Sequence, residues 1–399
     1  MLKGSAMLPL EGVRVLDLSR LLPGPYCSLI LADLGADVVR VESPNGADPL
    51  RLMPPMSGDS SAYFHGLNRN KRSITLDLKR REGVELFLKL VGAGFDVVIE
   101  SFRPGVMDRL GLGYGELCKV RKQLILCSIT GHGQAGPRRS KAGHDLNYVG
   151  LSGLLALTGE KGGAPAIPGA QVADIGGGSL MGAVGVLSAL VRRSVSGEGA
   201  WLDVSMTEGA LAFLSMQIGA RKALESQPER GAGLLHGEMP CYGVYRTADD
   251  RYMTLAAIEP KFWQQFCSAI GREDLVGEGH FSGRRGMHAK GELARLFETR
   301  TQAEWVALFS GLDVCCEPVH EVDDLFEDEQ HRARGSFVSV EDAPREPMAQ
   351  VACPIRFLGE APSPASAAPS LGADTDEVLS SIGVKSHDLA SLRKDGVIL

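Results

Sequence analysis

The chain has 399 residues, with 44% hydrophobic and 23% charged side chains, so it is an ordinary globular composition longer than one typical core. Its net charge of −7 argues against nucleic acid as the main partner. Eight scattered cysteines lack any C-x-x-C pair, which suits reduced core thiols; no run approaches a membrane span, so the expectation is a cytoplasmic protein with no membrane partner.

In chain order, the first third alternates strand and helix signals. Residues 12–19 (GVRVLDLS) read as a strand ending near a turn built on Pro23-Gly24-Pro25, and 26–34 as a short apolar helix. Further strands are expected at 37–42, 73–78, 96–101 and 124–130, with a helix over 82–91. Apolar strands alternating with helices predict a parallel sheet covered on both faces, an α/β fold of Rossmann type. The dinucleotide fingerprint is missing: the first turn reads SRLLPGPYCS, not G-x-G-x-x-G, and no phosphate-binding G-x-x-x-x-G-K-[ST] loop occurs.

The middle of the chain, 141–193, carries the most chemistry. His144 and Asp145 precede an apolar run, and Asp174 is followed by Gly176, Gly177 and Gly178 and then by an apolar helix over 180–190. Taken alone, Asp174 reads as a helix cap. Three glycines exceed what a cap needs and would let a ligand approach the backbone. A lone histidine is more often structural, but the Gly-flanked setting of His144 beside Asp145 and Asn147 favours it over His132 in GHGQAGP.

A strand at 200–205 and a helix at 206–223 follow, then a polar, Gly-rich stretch at 225–238 that suits a linker. Residues 241–322 mix strands (GVYRTA, YMTLAAI) with helices at 261–270 and 303–312, enough for a smaller α+β domain. Within it Glu259, just before Pro260, reads as a helix-start residue. Residues 336–358 return to short strands, and 374–392 form a charged helical tail. Composition therefore shifts near 225 and near 335, which marks off 1–224, 225–334 and 335–399.

Two basic stretches stand out: NRNKR at 68–72, as readily a solvated turn as a site, and SFRPGVMDRLG at 101–111. Arg103 sits at a strand end before a proline, where open α/β sheets dock ligands. Together they suit a polyphosphate such as that of coenzyme A.

The stretches LEGVRVLDLSRLLPGPYCSLILADLGADVVRVE, NRNKRSITLDLK, ESFRPGVMDRLGLGY, SITGHGQAGP, AGHDLNYVGLSGLL, VADIGGGSLMGAVGVLSAL, AAIEPKFW and LGADTDEVL resemble the family III CoA-transferase superfamily, and within it the α-methylacyl-CoA racemases. The likeness runs from residue 10 to about 379. It implies a Rossmann-like large domain made from both chain ends, a small central domain, and two chains interlocked as a homodimer with shared sites. In the transferases the residue matching Asp174 is a nucleophile that forms anhydride and thioester intermediates, beneath a Gly-rich flap. The racemases pair that aspartate with the histidine of AGHD and carry a glutamate in AIEP. Here His144, Asp174 and Glu259 stand at those positions and no run of four glycines occurs between 225 and 260, which points to the racemase branch and to an acyl-CoA substrate.

The resemblance further implies coenzyme A contacts at Leu76, Asp77, Leu78 and Lys79, at Ser101, Phe102 and Arg103, at Arg109, and at Gly143, Leu146, Asn147 and Tyr148. The backbone N–H of Asp145 is the first candidate donor to an enolate oxygen and the glycine amides after Asp174 the second. No metal-ligand spacing is seen and no cofactor is expected beyond the coenzyme A carried by the substrate. Members of the family often have arginine just after the second strand; this chain has Ser43, so one charge contact to the nucleotide is missing there.

Overall fold

A computed structural model describes residues 7–58, 60–223, 227–233, 235–342, 345–358 and 365–399. It divides into two compact units. The larger contains the chain through Ser152, Ala170–Phe213 and Gln330–Leu399; the smaller contains Gly153–Gly169 and Leu214–Glu329. The contact boundary thus falls at 213/214 with 153–169 on the smaller side, whereas the composition shift lies near 225, and 224–226 are outside the described residues.

The larger unit is built on six parallel strands: β1 (Arg14–Asp17), β2 (Asp37–Glu42), β3 (Lys71–Thr75), β4 (Val97–Glu100), β5 (Ile125–Thr130) and β6 (Ala200–Ser205). They lie in the order β3-β2-β1-β4-β5-β6. The parallel α/β expectation therefore holds, and the order reverses between β1 and β4, where such sheets open a crevice beyond the strand ends. Buried Leu16, Val39, Ile74, Val98 and Leu126 pack against Leu86, Phe87, Leu90 and Val91 of the helix Arg81–Gly92. The C-terminal segment returns to the edge strand β3. There Asp374 accepts from the Ser73 amide at 2.7 Å, Thr375 from that of Thr75 at 3.1 Å, and the Leu399 amide donates to Thr75 Oγ1 at 2.8 Å. An exposed strand edge is thereby covered.

Several local expectations are corrected. Pro23-Gly24-Pro25 is not a separate turn but the first turn of α1 (Pro23–Asp33), where proline lacks only an amide that would have no intrahelical partner. Helix 206–223 is broken into α2 (Met206–Ala212) and Ser215–Ala220. The NRNKR segment is neither a solvated turn nor a phosphate clamp. Arg69 pairs with Asp33, Arg72 with Asp37 at 2.7 Å, and the buried Lys71 donates to Pro25 O at 2.7 Å and Asn68 Oδ1 at 2.9 Å, with Asp17 3.7 Å away. Burial pushes the Lys71 ammonium down to about 7. Arg40, fully buried, completes this network with Asp48 at 2.9 Å and Asp17 at 3.5 Å.

The helical stretch after Gln171 begins earlier than the apolar run suggests. Val172–Leu180 is π-helical and continues into Met181–Ser196. The resulting 25 residues are long and apolar enough, by length and composition alone, to cross a membrane, against the sequence expectation that no run approaches such a span. Their inner face is nonetheless core: Ala173, Gly177, Gly178, Gly182, Ala183, Val186 and Ala189 are buried.

The smaller unit carries a three-stranded antiparallel sheet in which Tyr252–Ala256 lies between Tyr242–Arg246 and Cys316–Pro318. It packs on Pro260–Ala269, Gly283–Phe297 and Gln302–Phe309, with stacked Tyr245, Phe266, Phe297, Trp305 and Phe309 at its centre. The helix Gly283–Phe297 was not anticipated.

Candidate active site

A cavity of about 600 Å³ opens beyond the carboxyl ends of the strands. Arg20, Leu21 and Pro23 reach it from β1, Ser101–Pro104 from β4, Ile129–Gly131 from β5 and Met206 from β6. This is the crevice the strand order predicts. From the middle of the chain come Arg139, Lys141, Ala142, Gly143, His144, Asn147, Tyr148 and Asp174.

His144 is fixed by local geometry. It is the residue before the helix Asp145–Leu151, with extended backbone, and its amide donates to Asn147 Oδ1 at 3.0 Å. The Tyr148 hydroxyl donates to Gly143 O at 2.5 Å, and its ring occupies the space that a Cβ on Gly131 or Gly143 would need. Glycine at 143 therefore lets the tyrosine ring lock the backbone that presents His144. On the ring's other side His132 packs edge-on at 5.3 Å, with Thr207 Oγ1 3.1 Å from its Nδ1. Burial and the nearby Arg138 and Lys141 lower the His132 pKa, so this rival histidine is kept neutral.

Asp174 lies in the first turn of the π-helical segment. Asp145 Oδ1 accepts from the amides of Ala173 at 2.7 Å and Asp174 at 3.0 Å. The residue after His144 thus grips the backbone of Asp174 and joins the two segments. Burial first, and the negative charge of Asp145 second, push the Asp174 carboxyl up from 3.8 to about 7. A carboxyl there exchanges protons near neutrality, as a histidine ordinarily does.

The glycines after Asp174 serve packing rather than ligand approach, which corrects the sequence expectation. A Cβ on Gly177 would meet Met206 O at 2.7 Å and Ala210 N at 2.8 Å; one on Gly209 would meet Gly177 Cα at 2.3 Å. Gly178 lies against Met206 and Ile129. The glycines let this segment and α2 touch backbone to backbone.

Of the residues implied for coenzyme A, the cavity gathers Ser101, Phe102, Arg103, Gly143, Asn147 and Tyr148. Leu76 is instead a core side chain, 1% exposed, with Leu78 packed partly against the same core. Asp77 accepts from the Lys79 amide at 3.0 Å, and Lys79, Arg109 and Leu146 do not line the cavity. Asp145 opens its helix at the first position, where the helix itself supplies no acceptor for the amide. Glu259 belongs to the smaller unit, exposed at the start of Pro260–Ala269, with its carbonyl accepting from Phe262 and Trp263. Arg20, Arg139 and Lys141 were missed; the signal for Arg20 was its place directly after β1. Among the described residues no group of side chains has the arrangement of a metal site.

A parallel sheet with an open crevice beyond its strand ends, lined by Arg20, Arg103, Arg139 and Lys141 and by a histidine and an aspartate, has the form of a small-molecule site of an α/β fold. The chain belongs to CoA-transferase family III, whose family model matches residues 10–375. It is 38% identical over 393 residues to the mouse (Mus musculus) α-methylacyl-CoA racemase, covering 98% of this chain and 97% of the relative. It is 30% identical to the mouse succinyl-CoA:glutarate CoA-transferase, covering 94% and 86%. Among solved structures it matches a CAIB/BAIF family protein from Brucella suis with a TM-score of 0.81 and 32% identity, over 94% of this chain and 99% of that one.

Proposed function

We propose that the protein interconverts (R)- and (S)-2-methylacyl-CoA thioesters by two-base proton transfer at the α-carbon. The observation that carries this reading is the cavity shared by His144 and an Asp174 whose carboxyl titrates near 7. A racemase needs one group ionised and one protonated in each direction, with similar proton affinities. In one direction neutral His144 removes the α-proton, the C–H electrons pass into the thioester as an enolate, and protonated Asp174 returns a proton to the opposite face. In the other direction the Asp174 carboxylate removes the proton and the imidazolium of His144 returns one. The Asp145 amide, at the helix start, is the donor to the enolate oxygen. The cations around the cavity suit the phosphates of coenzyme A.

The reading includes a homodimer of interlocked chains in which Glu259 of a second copy completes the site and orients the imidazole. The outer face of Met181–Ser196 supports an interface, with Val184, Val191 and Val195 at helical spacing and 56%, 70% and 89% exposed.

CoA transfer is the alternative, favoured by Asp174 itself and by the likeness to transferases. There the Asp174 carboxylate attacks the thioester carbonyl and expels CoA thiolate to leave a mixed anhydride; the thiolate then attacks the Asp174 carbonyl, releasing the first acid and leaving an aspartyl-CoA thioester, and a second carboxylate takes the CoA by the reverse of these two steps. Substitution separates the two. His144→Ala and Asp174→Ala should each lower epimerisation by about a hundredfold or more, with coenzyme A affinity retained. Near-normal epimerisation by either variant overturns the two-base assignment.

A further inference from the structure

A second cavity opens at the edge of the sheet away from the crevice. Leu8 and Pro9, which precede β1, Asp33 and Leu34, which precede β2, and Arg69 and Asn70, which precede β3, all line it. Its volume is about 420 Å³, and ligand cavities generally span about 300–1,000 Å³. It lies wholly within the larger unit. The crevice that holds His144 and Asp174 opens beyond the carboxyl ends of the strands, and the two cavities have no lining residue in common.

One wall of this second cavity is a hairpin, in which Phe337–Asp342 pairs antiparallel with Arg345–Val351. Val338 stands opposite Gln350, so their side chains share a face of the hairpin. Gln350 Oε1 accepts from the buried Arg69 at 3.0 Å. Asp33 accepts from Arg69 Nε and from Asn70 Nδ2, each at 3.0 Å, and Asn70 Oδ1 accepts from the Ser366 amide at 2.7 Å. These polar groups are therefore committed to one another rather than to a ligand.

The rest of the lining is of two kinds. Leu8, Leu34, Val338, Ile355 and Phe357 are apolar, and Ile355 and Phe357 are 48% and 46% exposed. Beside them stand two cations, Arg334 and Arg356. The turn at Gly335 brings them together: its φ is +55°, and its carbonyl accepts from Arg356 Nη2 at 2.8 Å. Both arginines are exposed, and among the described residues no carboxylate lies within ion-pairing distance of either, whereas Arg69 is paired. Two unpaired guanidinium groups beside an apolar wall complement an anion with an apolar body.

We propose that this cavity binds the free carboxylate form of a medium- or long-chain fatty acid, its head held by Arg334 and Arg356 and its chain lying against Val338, Ile355 and Phe357. A peptide would need partners for its backbone amides and carbonyls, and the buried polar groups that could supply them are already paired. The site is independent of the chemistry in the crevice.

The test is calorimetric titration of sodium decanoate, kept below the concentration at which it forms micelles. It is titrated into the full-length wild-type protein, Phe357→Ser and the double variant Arg334→Ala/Arg356→Ala. All three side chains are exposed, and circular dichroism checks that each variant is folded. The wild type should bind decanoate saturably. Loss of the charge-assisted contacts should weaken binding by the double variant about tenfold or more. Decanol, which lacks the charge, should bind the wild type more weakly by a similar factor, and Phe357→Ser should weaken both ligands. Saturating coenzyme A should leave decanoate affinity unchanged. Decanoate binding that coenzyme A abolishes and the substitutions leave intact would put the ligand in the crevice and overturn the site. Equal binding by wild type and double variant, or equal binding of decanol and decanoate, overturns the role of the arginines. No saturable binding by the wild type also overturns the proposal, and is the result expected if a second copy of the chain covers the cavity.

Discussion

Asp145 shows how one side chain sets the chemistry of another. Its carboxylate holds the amides of Ala173 and Asp174, and its charge helps keep the Asp174 proton on. The folded-state pKa of about 7 exceeds the ordinary 3.8, so between those values the folded state binds more protons than the unfolded chain. Stability contributed at this site is therefore fully present below about pH 4 and declines as pH rises toward 7. Asp174→Asn removes that decline. Against wild type, the variant should gain on the order of 2 kcal/mol between pH 4 and pH 8, less than the full shift implies because the group is partly solvated. Denaturant unfolding at the two pH values checks this; an unchanged difference would mean that Asp174 is ionised in the fold. Asp145→Asn keeps an acceptor for the two amides but removes the charge, and should move the Asp174 titration down, as read by carbon-13 NMR of the carboxyl.

At the level of elements, the contact between Val172–Leu180 and α2 decides where Asp174 stands. Alanine in place of glycine in a helix ordinarily stabilises by up to about 1 kcal/mol. At Gly177 the added Cβ meets the backbone of α2 at 2.7 Å, so the helices must separate. Gly177→Ala should instead destabilise by about 1–3 kcal/mol and lower epimerisation by displacing Asp174. A raised melting temperature would contradict the packing role. This contact also shows what the sequence could not reveal. Glycines 176–178 were visible, but their reason is Phe213 for Gly176, and Met206 and Gly209 for the other two, all distant in the chain and adjacent only in the fold. NRNKR likewise looked free because Asp33, Asp17 and Asp37, its partners, are distant in sequence. The strands were legible because their apolar runs are continuous, and Arg103 because a strand end marks it; Asp174 alone read as a helix cap, and only the family likeness set it beside His144. Leu76 has its side chain committed to the core, so only its backbone is left to meet a ligand.

For the whole molecule, the strand order places the chemistry. The reversal between β1 and β4 opens one crevice, and four strand ends contribute to the cavity that holds His144 and Asp174. The return of the C-terminal segment to β3 explains why the larger unit is discontinuous in sequence. Light scattering should give twice the 42.5 kDa chain mass if the exposed face of Met181–Ser196 joins two copies, and a mass of one chain would remove the dimer from the account. The central claim is reversible proton transfer without acyl transfer. The measurement that tests it most directly is NMR of one enantiomer of a 2-methylacyl-CoA incubated with the protein in D₂O. The account predicts deuterium at the α-carbon and loss of optical purity with no second acid present. No α-exchange, with CoA passing to an added carboxylate, would contradict it and make Asp174 the nucleophile of a transferase.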